Sequence, residues 1–327
     1  MTGSPPLSRI LLLSFASVFV AGPYVALAQG QYPTKPIRWI VPFVPGGSTT
    51  IIARLVGQKM TESWGQQVVV DNRGGGNTII GSEAMVRAAP DGYTILQVTS
   101  THVINPSLLA TPYDAVRDFA PVCNLVATET LMVVSPSLPA NNLQELIALA
   151  KAKPGQLNFG SSGSGTTNHL AMELFAILAG IRMQHIPYKG AGPAVIDLMG
   201  GQIQIFTNNA VPLTPFVKSG KIRAIAVSGE TRLRSLPDVP TFTQAGLPGY
   251  EVKSWQGILA PAKTPKPIID KLSQEIARIL QMPEVRETLL TMGADPFVST
   301  PQQFAALIKV DLVRYAKLIK AANIKLE

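Results

Sequence analysis

The sequence predicts an α/β protein in which short strands alternate with helices. Two observations indicate this class. Short apolar runs typical of strands recur along the chain, and segments with the helical period of 3.6 residues separate them. In addition, glycine-rich turns directly follow two of the predicted strands. Alternation of this kind favours mostly parallel sheets.

In chain order, the predicted strands are residues 37–43, 67–70, 94–99, 131–134, 157–159, 183–186, 202–206 and 224–227. The predicted helices are residues 50–64, 81–88, 143–151, 167–179, 193–199, 267–281 and 301–320. In two helices, apolar residues recur at every fourth position and form a stripe: Ile52, Val56, Met60 and Trp64 in the first, and Leu170, Leu174 and Leu178 in the fourth. Pro193 suits a first helical turn, and Gly200-Gly201 suits the end of that helix.

The first 28 residues have the pattern of a secretory signal. Arg9 precedes an apolar run at residues 10–20, and an A-x-A cleavage pattern follows at residues 26–28. The run is about half of the roughly 20 residues that span a bilayer, so we expect export without a retained membrane helix. Cleavage after Ala28 would leave 299 residues with 27 basic and 20 acidic side chains, a net charge of +7.

Charge and composition narrow the classes of partner. The basic residues never form a run of four and aromatic residues make up 6% of the chain, so we expect no nucleic-acid groove. Small acids match the net positive charge of the chain better than nucleic acid does. Cys123 is the only cysteine in the sequence, so we expect no intramolecular disulfide and a buried side chain at this position.

Two loops have the composition of anion sites. The stretch "VPFVPGGSTTIIAR" (residues 41–54) leads from a strand through Gly46 and Gly47 into a helix that Ser48, Thr49 or Thr50 can cap. It lacks the lysine of a phosphate-binding P-loop and the spacing of G-x-G-x-x-G, so nucleotide binding is disfavoured. An ordinary Gly-Gly turn before a capped helix explains this loop alone equally well. The stretch "NFGSSGSGTTNHL" (residues 158–170) repeats the arrangement, and two such loops favour one shared anion site.

The second loop does not have the pattern of a hydrolase. The nucleophile elbow G-x-S-x-G fails because Ser164 stands where the second glycine is required. His169 lies about one turn into the helix, where a structural or ligand-orienting role is favoured over that of a general base. His102 and His185 have no acid or cysteine at metal-ligand spacing, so we predict no metal site and no cofactor.

Six stretches carry a family pattern: "YPTKPIRWIVPFVPGGSTTIIAR", "DNRGGGNTIIGSEAMVRAAPDGYTIL", "INPSLLATPYDAVRDFAPV", "FGSSGSGTTNHLAMELF", "HIPYKGAGPAVIDLMGGQIQIFTNN" and "IRAIAVSGETRLRSLPDVPTFTQAG". In these stretches the chain closely resembles the Bug family, the periplasmic receptors of tripartite tricarboxylate transporters. The resemblance covers essentially all of the chain after the signal. It implies a type II periplasmic-binding-protein fold, in which crossing strands join two α/β lobes around a ligand cleft.

The resemblance also implies a ligand site. It maps the family's two binding loops to residues 43–50 and 161–169, which grip a carboxylate through backbone amides, hydroxyls and water. The residues expected to contact the ligand are Phe43, Gly46, Gly47, Ser48, Thr50, Ser100, Thr101, Ser161, Ser162, Gly163, Gly165, Thr166, Thr167, His169, Lys189, Asn208 and Asn209. Trp255 is expected in core or hinge packing rather than against the ligand.

One residue departs from the family's pattern. The family usually has aspartate in P-G-G-x-x-D where this chain has Thr50. An aspartate could pair with an ammonium group, whereas threonine offers a neutral hydroxyl. We therefore predict that amino acids bind more weakly than acids without an amine.

The resulting expectation is an exported, monomeric receptor and not an enzyme. It captures a small organic carboxylate, such as a di- or tricarboxylate or an aromatic acid, and delivers it to membrane transporter subunits. We expect one lobe at residues 30–124 and 251–327 and the other at 125–250. Two alternatives remain open at this point, namely an exported serine hydrolase that uses His169, and a receptor that docks on a membrane sensor.

Overall fold

The computed structural model describes residues 1–3, 32–250 and 252–321. It separates two compact units, Met1–Tyr32 and Pro33–Glu327, and the strands and helices named below belong to the second. Residues 4–28 of the predicted signal peptide (residues 1–28) lie outside the described residues. Within the described part of the chain, no helix is both long enough and apolar enough to cross a membrane.

Ten strands and ten α-helices are described in the second unit. The strands are β1 (Ile37–Val41), β2 (Val68–Asn72), β3 (Thr94–Thr99), β4 (Phe119–Val134), β5 (Asn158–Ser161), β6 (Gln184–Pro187), β7 (Ile205–Asn209), β8 (Arg223–Val227), β9 (Lys253–Pro261) and β10 (Ala294–Pro296). The helices are α1 (Ser48–Trp64), α2 (Ile79–Val86), α3 (Thr101–Leu108), α4 (Leu143–Ala152), α5 (Thr167–Ala179), α6 (Ala191–Met199), α7 (Thr214–Lys218), α8 (Lys266–Leu280), α9 (Pro283–Met292) and α10 (Pro301–Ala321).

The strands form two sheet regions that share β4. In the first sheet region, β1 pairs in parallel with β2 and β3, and β9 pairs antiparallel with β3 and with the first part of β4. In the second sheet region, β5 pairs in parallel with β6 and β7, and the last residues of β4 pair antiparallel with β7 and β8. The predicted α/β fold class is therefore confirmed. The lobe boundaries stay a prediction.

The second sheet region is apolar on both faces. Successive side chains of a strand point to opposite faces. On β4, Met132 and Val134 therefore pack on the side of α4 and α5, whereas Leu131 and Val133 pack on the side of α6. The first sheet region has its own core, which includes Trp255 and Phe304.

The sequence prediction missed six parts of the fold: the first twelve residues of β4, the strands β9 and β10, and the helices α3, α7 and α9. Polar residues such as Asn124 and Gln256 interrupt the apolar runs of β4 and β9, yet both side chains are buried. Pro106 lies inside α3, where the sequence gives no clear helical signal. The expectation for Cys123 is confirmed, since the side chain is buried and burial raises the pKa of its thiol.

Candidate ligand-binding site

A small cavity lies where the two sheet regions meet, at the carboxyl ends of β1, β3, β5 and β7. Ligand sites of open α/β sheets occupy this edge. Its open volume is about 50 Å³, which is room for a few water molecules. The lining is mainly hydroxyl and amide side chains: Phe43, Gly47, Ser48, Thr49, Thr99, Thr101, Thr130, Ser162, Thr166, Thr167, Asn168, Ala191, Asn208, Asn209 and Ser254. The described residues of the lining include no charged side chain.

The first loop turns the start of α1 towards the cavity. Gly46 has φ of +100°, a left-handed conformation that glycine adopts without strain. Gly47 is the N-cap, and in the described structure no side chain caps the first turn. The backbone N–H groups of this turn are therefore not satisfied by a cap and can donate to an anion.

Ser48, the first residue of α1, receives two hydrogen bonds at its hydroxyl oxygen. Asn209 Nδ2 and Gln256 Nε2 both donate to Ser48 Oγ at 2.8 Å. A serine hydroxyl has two acceptor lone pairs and one proton. Since both lone pairs are occupied, the proton of Ser48 is left to donate to a group in the cavity.

Ser162 in the second loop has the same arrangement. Asn168 Nδ2 and Asn208 Nδ2 donate to Ser162 Oγ at 3.0 and 3.2 Å. Backbone groups fix both amides, because Asn168 Nδ2 also donates to the carbonyl of Thr207 and Asn208 Oδ1 accepts the N–H of Asn209. The Ser162 proton is thus also directed to a further acceptor. The two loops therefore present one hydroxyl donor each to the same cavity.

Four helices begin at the cavity. Residues of the first turn of α1, α3, α5 and α6 line it, and the described first turns contain no acidic residue. Each helix N-terminus favours a negative charge by about 0.3–1 kcal/mol. The helix dipoles and the hydroxyl donors together favour a negative charge in the cavity, although the described lining residues carry no positive charge.

Two side-chain atoms of the lining are buried without a hydrogen-bond partner among the described residues. These atoms are Thr167 Oγ1 and Asn209 Oδ1. Buried polar atoms in proteins almost always have a partner. A ligand or an ordered water in the cavity would satisfy both.

His169 in the second loop and His185 on β6 contact neighbouring protein groups and each other. The N–H of Gly165 donates to His169 Nδ1 at 3.0 Å, and His169 Nε2 lies 3.5 Å from Glu173 Oε1. His169 therefore holds the loop from outside the cavity. His185 stacks on it with ring centroids 3.9 Å apart. Burial, with a smaller effect of His169, lowers the pKa of His185 to about 4, so His185 is neutral at pH 7.

Ser161 and His185 form a pair that the sequence did not reveal. Ser161 Oγ lies 2.6 Å from His185 Nε2 and also donates to the carbonyl of Gly163. A serine beside a histidine is one requirement of a nucleophilic enzyme. Ser161 has no exposed surface, however, so a substrate cannot reach its hydroxyl.

The structure brings nine of the predicted ligand residues into the lining and leaves eight outside it. The nine are Phe43, Gly47, Ser48, Thr101, Ser162, Thr166, Thr167, Asn208 and Asn209. The eight outside are Gly46, Thr50, Ser100, Ser161, Gly163, Gly165, His169 and Lys189. Contact of any of these residues with a ligand stays a prediction.

Thr50 and Ser100, two of these eight residues, are engaged in hydrogen bonds within the protein. Thr50 Oγ1 accepts a hydrogen bond from Asn72 Nδ2 at 2.8 Å, so it is engaged beside the cavity rather than in it. Ser100 Oγ accepts the N–H of Trp255 at 3.1 Å. The side chain of Lys189 is exposed, and its carbonyl accepts the N–H of Val44 at 3.5 Å.

Six lining residues were not among the predicted ligand residues. Thr49 and Asn168 lie within the two predicted loops, whereas Thr99, Thr130, Ala191 and Ser254 do not. Thr130 and Ser254 lie on strands that pair only in the folded chain, so no local pattern identifies them. Trp255 is buried and donates to Asp311 at 2.7 Å, as expected for core packing. No group of three or more His, Cys, Asp or Glu within the described ranges is placed to hold a metal ion.

A family model that matches most of the chain shows the family to which the protein belongs. The model of the tripartite tricarboxylate transporter family receptor, TctC, matches residues 52–324. The chain belongs to this receptor family. The resemblance seen in the six sequence stretches is thereby confirmed.

Relatives of known name or structure agree with this assignment. Protein BugT of Bordetella pertussis is 36% identical over 97% of this chain and 98% of its own. A solved structure of R. palustris Rpa4515 with adipate is 33% identical, has a TM-score of 0.88, and covers 90% of this chain and 99% of its own. MatC of Rhodopseudomonas palustris with bound malate is 29% identical, has a TM-score of 0.84, and covers 88% of this chain and all of its own.

This TctC-family protein is therefore a solute receptor and not an enzyme. Receptors of this family are periplasmic and work with membrane transporter subunits. The hydrolase and sensor alternatives receive no support from its relatives.

Proposed function

We propose that this receptor binds a small organic carboxylate in the cavity between its two sheet regions and delivers it to the membrane subunits of its transporter. The observation that carries the proposal is the pair Ser48 and Ser162. Each has both lone pairs filled by amides, so each offers a proton to the same cavity. A carboxylate has acceptor sites for both.

The energies agree with an anion held by neutral groups. A hydrogen bond to a charged group contributes about 1.5–3 kcal/mol, and each helix N-terminus adds about 0.3–1 kcal/mol. Micromolar affinity requires about 8 kcal/mol net, after association costs of several kcal/mol. Several donors must therefore act together, which supports closure of the two sheet regions around the ligand.

Amino acids are disfavoured by the same lining. An ammonium group is stabilised by a carboxylate, and none of the described lining residues supplies one. This absence supports the prediction drawn from Thr50. The relatives that hold adipate and malate suggest di-acids as the first compounds to test.

The test is thermal unfolding of the protein without residues 1–28, against malate, adipate, aromatic acids and amino acids. A ligand at 100 times its dissociation constant should raise the free energy of unfolding by about 2.7 kcal/mol. We expect this stabilisation with acids that lack an amine, and a loss of it in the Ser48→Ala/Ser162→Ala double variant. A sample free of carried-over ligand that no acid stabilises would refute the proposal.

Export through a cleaved signal and a monomeric state are part of the proposal. The sequence pattern of residues 9–28 supports cleavage after Ala28. Mass spectrometry of the periplasmic protein would give its first residue, and light scattering would give its mass in solution. A dimer, or an N-terminus at Met1, would contradict these parts.

A further inference from the structure

A chain of buried hydrogen bonds leads from the core of the first sheet region to Ser48. Trp39 Nε1 donates to Gln97 Oε1 at 3.0 Å, and Gln97 Nε2 donates to Gln256 Oε1 at 2.7 Å. Gln256 Nε2 then donates to Ser48 Oγ at 2.8 Å. Trp39, Gln97 and Gln256 have no exposed surface, so bulk water cannot replace these partners.

The indole of Trp39 determines the direction of this chain. An indole N–H can only donate, whereas a glutamine amide can turn over and exchange its donor and acceptor ends. If both amides turned over, the N–H of Trp39 would face the Nε2 of Gln97 and lose its acceptor. A buried donor without an acceptor is strongly disfavoured. Gln97 therefore keeps its oxygen towards Trp39, and Gln256 keeps its nitrogen towards Ser48.

We infer that Trp39 is a positioning residue that makes Ser48 a donor, and not an acceptor, towards the ligand. Gln256 occupies one lone pair of Ser48, Asn209 occupies the other, and the proton is left for the cavity. If Gln256 were reversed, its oxygen would take the Ser48 proton and the ligand would lose a donor. The inference rests on the proposed ligand site. It adds a specificity determinant outside the cavity lining, which favours acceptor groups such as carboxylates over ammonium groups.

Ser162 provides an internal comparison. Its two amide donors are fixed by backbone groups of Thr207 and Asn209 and not by an indole. A change at Trp39 should therefore affect the donor at Ser48 and leave the donor at Ser162 unchanged.

Neutron diffraction from crystals of the perdeuterated, ligand-free protein tests the polarity directly. We expect the deuteron of Ser48 Oγ to point away from Gln256, and a deuteron of Gln256 Nε2 to point at Ser48 Oγ. A Ser48 deuteron directed at Gln256 would overturn the inference. This measurement needs no ligand, so its outcome is separate from a failure of the thermal-shift panel, which would refute only the proposed function.

A double-mutant cycle tests the role of Trp39 in binding. Trp39→Phe removes the indole donor that fixes the direction of the chain, so a reversed population should appear in which Ser48 donates to Gln256. The dissociation constants of malate and adipate, measured by calorimetry, should then rise, by about twofold if half of the molecules are reversed. In a Ser48→Ala background the same change should have no effect on either constant.

Trp255→Phe is the matched control. It also removes a buried indole donor from the first sheet region, but the partner of that indole is Asp311 and not a glutamine of the chain. We expect it to leave the dissociation constants unchanged. Equal losses of affinity from Trp39→Phe in the parent protein and in the Ser48→Ala background would show a general structural effect and overturn the role of Trp39. If Trp39→Phe does not fold, the neutron measurement on the parent protein still decides the polarity.

Discussion

Closure of the cavity can be tested at Gly192, where the two sheet regions meet through backbone atoms. A Cβ at Gly192 would lie 2.8 Å from the carbonyl oxygen of Pro45, on the first loop. This is 0.6 Å closer than the 3.4 Å at which ordinary contact begins. Gly192 lies in the first turn of α6 and does not have a positive φ, so alanine is compatible with its backbone. The substitution Gly192→Ala therefore perturbs the contact between the two sheet regions and not the helix.

We expect Gly192→Ala to weaken ligand binding strongly. The same substitution should stabilise the helix, because alanine replaces glycine there. Overpacking of a close contact costs about 1–3 kcal/mol, and this cost falls on the closed form alone. The dissociation constant for the best acid of the panel should rise about 5- to 150-fold. Alanine in place of glycine should stabilise the ligand-free protein by about 0.4–1 kcal/mol if its loops separate.

Calorimetry for the affinity and urea unfolding for the stability measure the two effects separately. Gly200→Ala is the matched control at the end of the same helix, because its nearest contact would be an ordinary 3.6 Å from the carbonyl oxygen of Ile196. We expect Gly200→Ala to bind within twofold of the parent protein. Parent-like affinity in Gly192→Ala would refute the idea that the binding form brings these two segments together.

Three further predictions concern single side chains. Ser162→Ala should weaken acid binding about 10- to 150-fold by calorimetry, through the loss of one hydrogen bond to a charged group, while the neighbouring Ser164→Ala should not. Thr50→Asp should improve binding of amino acids relative to acids without an amine, and tighter binding of the acids without an amine would contradict the reasoning. Burial lowers the pKa of His102 to about 4, so its neutral form stabilises the fold fully above about pH 6.5 and this stabilisation is lost as the pH falls towards 4. About 2 kcal/mol should be lost by pH 5 in urea unfolding, and His102→Gln should remove that part of the pH dependence; an unchanged dependence would contradict it.

The loops of the site could be predicted because their chemistry is local. A strand, a pair of glycines and a row of hydroxyl residues before a helix describe both Gly46–Thr50 and Gly163–Thr167 from sequence alone. The direction of individual side chains could not be predicted in the same way. Thr50 and Ser48 are two residues apart, yet Ser48 lines the cavity and Thr50 is engaged by Asn72.

The remaining parts of the site depend on contacts between distant segments. Gln97 and Gln256 are 159 positions apart and meet because β3 and β9 pair antiparallel. Ser48 meets Asn209 across 161 positions. Since β9 was not predicted as a strand, neither the buried chain from Trp39 nor the donor role of Ser48 could be derived from the sequence.

A neutral lining is compatible with a receptor that must release its anion. A buried lysine would raise the affinity for the anion. Once the ligand departed, however, the lysine would be left as an unpaired buried charge, at a cost of about 3–5 kcal/mol. The hydroxyl and amide groups around Ser48 and Ser162 are neutral, so departure of the ligand leaves only neutral groups to be satisfied by water. Affinity therefore depends on having many donors in place at once. Separation of the two sheet regions would part Ser48 from Asn209 and the first loop from the start of α6, and we expect this separation to release the ligand.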